Sequence, residues 1–154
     1  MNQNQPEEKK ETKKVAIIRV RGDVNLKKSV KDTLKMLRLY KKNYCVVYDA
    51  TPPILGMIQK VKDYVTWGEI SDEILKKLVS KRGRLVGNKR VSSENVDTII
   101  SEIKTKKSKE WSIKPVFRLS PPSGGFHGTI RLGFPRGELG NRKEKINELL
   151  ERMI

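Results

Sequence analysis

The residues of this chain best suited to do chemistry are its cations, and the chemistry that they suit is the binding of phosphate. The 154 residues include 34 Lys and Arg against 18 Asp and Glu, which gives a formal charge of +16 and a pI near 10.0. Such a basic domain carries the electrostatic footprint of nucleic-acid binding. An anionic membrane surface and an acidic protein are the alternatives. A membrane anchor would require a long apolar run or one amphipathic basic helix, whereas the cations here are spread along the chain.

Groups that could catalyse a reaction or hold a metal ion are scarce. Cys45 is the only cysteine and His127 the only histidine, so an internal disulfide is impossible and a cysteine-based zinc site is not supported. Asp49 has no second acid in a fixed relation to it and is interpreted as a turn or cap residue. The glycines of GFPRGELG lack the Lys-Ser/Thr ending of a P-loop. We therefore expect no enzyme, no metal, no cofactor and no small-molecule substrate.

Two groups of cations have a spacing that places them on one surface. In VAIIRVRG, residues 15–22, alternation puts Arg19 and Arg21 on one face of a strand and three apolar side chains on the other. From this we predict that the face bearing the arginines is not a core face. A helix that follows carries a cationic stripe, for which a solvated helix face is the alternative interpretation. The stripe comprises Lys31, Lys35 and Arg38.

The elements that must position these cations follow a β-α-β-α-β order. Strands are predicted at residues 15–22, 44–50 and 64–67, and helices at residues 28–40, capped by Asn25 or Ser29, and from Pro53 onward. Three strands and two amphipathic helices form a two-layer α+β sandwich of ferredoxin-like topology. We expect both helices on one face of the three-stranded sheet and the other face open.

The chain divides into three parts in this interpretation. Residues 1–14 form a flexible charged tail, residues 15–70 the core domain and residues 71–154 a C-terminal extension. In the extension, Ser71 caps a helix that Gly83 stops, a second helix spans residues 94–104, and KPVFRL forms a strand. Asn141 and Glu144 form a capping box for a last helix that docks onto the body.

Residues 120–140 have glycine or proline at nearly every second or third position and almost no periodicity. Such a segment loses much conformational entropy when it is fixed, so we interpret it as a loop that its partner orders. Arg131 and Arg136 would contact phosphates, and Phe126 or His127 would stack on bases.

Residues 37–70 carry a pattern specific enough to indicate a family. A leucine-rich helix end and a valine-rich strand precede T-P-x-x-x-G-M-I-x-K-V, which resembles the large-subunit ribosomal protein L-thirty family. TWGEI, KLVSKRG, PVFRLSPPSGG and ELGNRKEKINELLERMI then follow in order, as in the long archaeal and eukaryotic form, whose eukaryotic homologue is L-seven. The short N-terminal tail favours an archaeal origin. One departure is FHGTIRLGF, where eukaryotic members are more basic.

The resemblance implies a structural protein of the cytoplasmic ribosome, without enzymatic activity, that binds large-subunit ribosomal RNA and has other large-subunit proteins as possible neighbours. A free-standing RNA-binding regulator or assembly factor of the same fold is the alternative, and an RNA-processing enzyme is a third. The resemblance places RNA contacts at Arg19, Arg21, Gly22, Lys60, Lys81, Arg82, Gly83 and in the segment that includes Ser123, Gly124, Gly125, His127, Arg131, Arg136, Asn141 and Arg142. The charge pattern adds Lys27, Lys28, Lys31, Lys35, Arg38, Arg84, Lys89, Arg90 and Arg118.

Overall fold

Six strands form one mixed sheet within residues 13–154, the part of the chain that this computed structural model describes. Their order across the sheet is β4-β2-β1-β3-β6-β5. The strands are β1 (Lys14–Arg19), β2 (Tyr44–Asp49), β3 (Val65–Glu69), β4 (Val116–Arg118), β5 (Thr129–Gly133) and β6 (Gly137–Asn141). The predicted α+β class is confirmed, but the sheet has twice the predicted three strands because the extension adds strands at both of its edges.

Five helices pack against this sheet in the described residues: α1 (Lys28–Met36), α2 (Pro52–Lys60), α3 (Asp72–Arg82), α4 (Val96–Thr105) and α5 (Ile146–Met153). The predicted cap of α3 is confirmed, since the Ser71 hydroxyl accepts a hydrogen bond from the Ile74 N–H at 3.4 Å. Helix α1 ends earlier than residue 40, because Arg38 adopts a positive φ of 62°. Its N-cap is Lys27, so neither Asn25 nor Ser29 has the predicted capping role.

Both faces of the sheet are covered, so the prediction of an open face is wrong. On one face Val15 and Ile17 pack in a core cluster with side chains of α1 and α2. On the other face Ala16 and Ile18 pack with side chains of α3, α4 and α5. The apolar residues of β1 are consecutive, and such a run is typical of a strand buried on both sides.

The extension completes the sheet as well as covering it. Strand β4, predicted from KPVFRL, pairs antiparallel with β2, and β6 pairs parallel with β3. The prediction that residues 120–140 lack regular structure is wrong for the part that forms β5 and β6. The boundary between residues 70 and 71 stays a prediction. Most of the predicted tail, residues 1–12, lies outside the described residues, while Lys14 already belongs to β1.

Helix α5 docks on the body as predicted, with Ile146, Leu149, Leu150 and Met153 buried. The predicted capping box is wrong, because α5 begins after a short 3-10 turn, Lys143–Lys145. The Asn141 side chain instead accepts a hydrogen bond from the Lys143 N–H at 2.9 Å. The close approach of this segment to β3 depends on Gly68. A Cβ at that position would collide with the Lys143 carbonyl oxygen and lie 2.8 Å from the Ile146 Cβ.

We expect Gly68→Ala to lower the free energy of unfolding by about 1–3 kcal/mol, the usual cost of overpacking a core. Gly56→Ala is the matched control, because a Cβ at Gly56 meets nothing within 4 Å and the residue lies inside α2. That control should stabilise the protein by about 0.5–1 kcal/mol, since alanine has the higher helix propensity. Urea unfolding of both variants measures the difference, and equal midpoints would contradict the proposed close approach.

Candidate nucleic-acid interface

The topology brings cations from four segments to one end of the sheet. Because β1 is antiparallel to β2 and to β3, the residues after β1 lie beside those that precede β2 and β3. Strand β4 ends at the same place, where Arg118 is paired with Tyr44. We call this the basic end, and its cations are Arg21, Lys41, Lys42, Lys62 and Arg118. Only Arg21 and Arg118 of these were predicted from the sequence, because the others become neighbours through strand pairing.

The opposite end of the sheet carries acids that are paired. Asp49 ends β2 and Glu69 ends β3. The Lys14 Nζ lies 2.5 Å from an Asp49 carboxylate oxygen, and the Lys13 Nζ lies 3.1 Å from Glu69 Oε1. The lysines beside the ends of β2 and β3 are therefore neutralised by these acids, whereas the exposed cations of the basic end can attract phosphates.

Residues 120–141, which we call the arm, leave the basic end after β4 and return to the sheet as β6. Strand β6 runs parallel to β3, with Gly140 opposite Thr66. The earlier residues of the arm must therefore extend past the start of β3. They include exposed His127, Arg131 and Arg136, together with exposed Ser123, Gly124 and Gly125.

A buried ion pair holds the arm to the sheet. Arg142 donates from Nε to Thr66 Oγ1 at 2.9 Å and from Nη2 to the Glu138 carbonyl at 2.9 Å, and it also pairs with the Glu138 carboxylate. The Gly128 N–H donates to Glu138 Oε1 at 2.7 Å. Burial alone would raise the pKa of Glu138, but the hydrogen bonds from Arg142 and Gly128 outweigh it and hold that pKa below its usual value. With 8% of its side chain exposed, Arg142 has a structural role, and its RNA contact stays a prediction.

Arg19 also has a structural role. Its side chain lies on the α1 side of β1 and is 2% exposed. The guanidinium donates to the carbonyls of Leu39 and Tyr40 at 2.9 and 3.0 Å and to that of Arg21 at 2.9 Å. It thereby satisfies the Leu39 carbonyl, a buried backbone acceptor after α1. The prediction that Arg19 lies on an exposed face is wrong.

Gly83 is also structural rather than exposed. It is buried, and a Cβ there would collide with the Val79 carbonyl oxygen at the end of α3. The neighbouring Arg82 is half-buried and donates to the Ser120 hydroxyl at 2.6 Å and to the Ile154 carbonyl at 3.3 Å. Lys81 beside it is exposed. This places the end of α3 at the base of the arm.

Arg152 makes a second attachment between the body and the arm. Its Nε and Nη2 donate to the Ser123 carbonyl at 3.1 and 3.0 Å, and Nη2 also donates to the Gly125 carbonyl. This role could not be predicted from the sequence, because nothing in ERMI distinguishes a cation bonded to a distant loop from one in solvent. Arg152 therefore fixes the path of the double glycine.

A cleft of about 320 Å³ opens where the arm crosses the basic end. Most of its walls are apolar, with cations at its margin. The lining residues are Val20, Arg21, Gly22, Val24, Lys42, Asn43, Pro121, Phe126 and Ile130. Arg21 is fixed beside it, because its guanidinium lies 5.2 Å from the Tyr64 ring centre and donates to the Asp63 carbonyl at 3.3 Å.

The other residues that were predicted to contact RNA do not line the cleft. On and before α1, the exposed lysines are Lys27, Lys28, Lys31 and Lys35, and Arg38 is half-buried. Arg84 and Arg90 form an isolated bridge in the loop after α3, with Lys89 exposed between them. Lys60 ends α2 and Asn141 ends β6, both exposed. The structure does not bring the α1 lysines or the loop after α3 into the cleft.

Groups for other chemistry do not converge in the part of the chain that the structure describes. Cys45 is buried, and burial raises the pKa of its thiol, so it is not a reactive thiolate. Within residues 13–154, no three His, Cys, Asp or Glu side chains are placed to hold a metal ion. None of the described helices has the length and hydropathy of a membrane span.

Comparison with known proteins identifies similar chains over nearly the whole length. The family model for Ribosomal protein L30p/L7e matches residues 15–65. A protein of Methanosphaera stadtmanae named "Large ribosomal subunit protein uL30" is 46% identical over 150 residues, which cover 90% of this chain and 99% of the relative. Proteins of the same name from Methanococcus vannielii and Hyperthermus butylicus are 48% and 43% identical, covering 90% and 96% of this chain and 98% and 94% of the relatives.

Proposed function

Because the chain belongs to the ribosomal protein L30p/L7e family, we propose that it is a structural constituent of the large ribosomal subunit that binds large-subunit ribosomal RNA through the basic end and the arm. The resemblance to this family in its archaeal form is confirmed by the relatives. The place of action is then the cytoplasmic ribosome, where the protein stabilises folded RNA and contributes to subunit assembly and translation.

The proposal that the basic end binds RNA rests on one observation, the position of exposed cations along the strands. Beside the ends of β2 and β3, Lys14 and Lys13 are paired with Asp49 and Glu69, whereas Lys41, Lys42 and Arg118 at the basic end are exposed. Exposed cations gathered at one end can neutralise phosphates and release counterions, which is the main source of affinity for RNA. No catalytic step enters this proposal.

Two measurements test the function. After a high-salt wash, the native protein should sediment with large subunits, whereas a free-standing regulator should be released. With deproteinised large-subunit ribosomal RNA, log K should fall with log salt at a slope of about −4 to −5, the value for about six phosphate contacts. A slope near zero would show that the basic end does not bind phosphates.

A further inference from the structure

We propose that the cleft between the arm and the basic end binds the base of one unpaired RNA nucleotide, while the cations at its margin bind the flanking phosphates. The inference rests on the proposed function, since it requires that the protein binds RNA. Beyond that function, the inference specifies which part of the RNA binds in the cleft. A duplex keeps its bases stacked inside, so the cleft selects a bulged, looped or terminal nucleotide.

The walls of the cleft have the chemistry that a base requires. They consist mainly of apolar side chains, from Val20, Val24, Pro121, Phe126 and Ile130. Val24 is 80% exposed and Ile130 40% exposed, so this apolar surface is not covered by the described part of the chain. Every base has a flat π-face that packs on aromatic and aliphatic side chains, and Phe126 supplies the aromatic one.

A hydrogen-bonding group is also present at the wall. Both backbone polar groups of Asn43 have hydrogen-bond partners. Its N–H donates to the Arg19 carbonyl at 2.8 Å, and its carbonyl accepts from the Leu119 N–H at 3.0 Å. Among the described residues, none forms a hydrogen bond with the side-chain amide of Asn43. An amide offers both a donor and an acceptor, which suits the edge of a base.

The charge around the cleft favours a nucleotide over an apolar peptide. Arg21 and Lys42 line it, and Arg118 precedes Leu119, which is bonded to Asn43. The nearest acid in the loop after β1 is Asp23, and its carboxylate lies 2.5 Å from the buried Arg19 guanidinium. Asp63, whose carbonyl accepts from Arg21, is a further exposed acid nearby, and Arg21, Lys42 and Arg118 outnumber it, so the margin of the cleft is net cationic. Apolar walls beside exposed cations match a base beside its own phosphates.

The experiment compares two probes of equal charge on the full-length protein. One is a hexaadenylate RNA, and the other is the same six-residue ribose-phosphate chain with every base removed. Stacking of one base contributes about 1–3 kcal/mol, so the native protein should bind hexaadenylate at least about fivefold more tightly. Equal affinity for the two probes would overturn the inference. Competition by hexaglutamate equal to that of hexaadenylate would overturn it too, in favour of an acidic peptide.

Variants locate the preference in the cleft. Val24→Trp should fill the cleft from an exposed position and reduce the preference to less than twofold. Val86→Trp is the matched control, because Val86 is 81% exposed and lies in the loop after α3, and it should keep the native preference. Phe126→Ala should also lose the preference, but Phe126 packs partly on the core, so its unfolding midpoint is measured in parallel. A native preference in Val24→Trp would place the base elsewhere.

The outcomes separate this inference from the function on which it rests. Tight, salt-dependent binding of ribosomal RNA without a preference for hexaadenylate would refute the cleft alone. If the protein binds neither ribosomal RNA nor either of the two probes, the RNA-binding function and the cleft are refuted together.

Discussion

Replacing Arg21, Lys42 and Arg118 together by alanine is expected to weaken binding to deproteinised large-subunit ribosomal RNA about a hundredfold. Each of these cations lies at the basic end, and one such contact to phosphate contributes about 1 kcal/mol net. The slope of log K against log salt should become less negative by about 2 to 3, because three fewer counterions are released. Filter binding or fluorescence anisotropy at several salt concentrations measures both quantities.

The control for this variant removes the same charge elsewhere. Lys106, Lys107 and Lys109 are exposed and lie between α4 and β4, in a segment that approaches the sheet from the end opposite Arg118. Their triple alanine variant should retain most of the affinity and the native slope. If the two triple variants weaken binding equally, then net charge rather than the basic end determines affinity.

Arg19→Ala is expected to lower the free energy of unfolding by about 2–3 kcal/mol. The change leaves three backbone carbonyls without their donor, those of Arg21, Leu39 and Tyr40. The bond to Leu39 is buried, and a buried unsatisfied acceptor costs about 1–3 kcal/mol. Arg21→Ala should cost only about 0.5–1 kcal/mol, because this half-exposed guanidinium loses a ring contact and a long hydrogen bond.

Urea unfolding distinguishes these variants, and Asp23→Ala serves as the control for the ion pair. The Asp23 side chain is 64% exposed, so its removal should cost less than about 1 kcal/mol. Arg19→Ala should therefore be the least stable of the three variants. An unfolding midpoint for Arg19→Ala equal to that of Arg21→Ala would show that water replaces the guanidinium as hydrogen-bond donor to the carbonyls after α1.

Local sequence signals determined several parts of the fold. Prolines in the first turn of α2 and the hydroxyl of Ser71 before α3 specify helix starts within a few residues of chain. The class of partner also followed from composition, because net charge is a sum that needs no structure. The motifs of residues 37–70 were sufficient for the family.

Only the tertiary structure decided which cations are available to RNA. The carbonyl that Arg19 binds at Leu39 is 20 residues away, and the Thr66 hydroxyl that Arg142 binds is 76 residues away. A guanidinium can be buried only where such distant acceptors satisfy it, and the residues next to it in the chain do not reveal them. The basic end has the same origin, since strand pairing brings Arg21, Lys42 and Arg118 together from three separate segments.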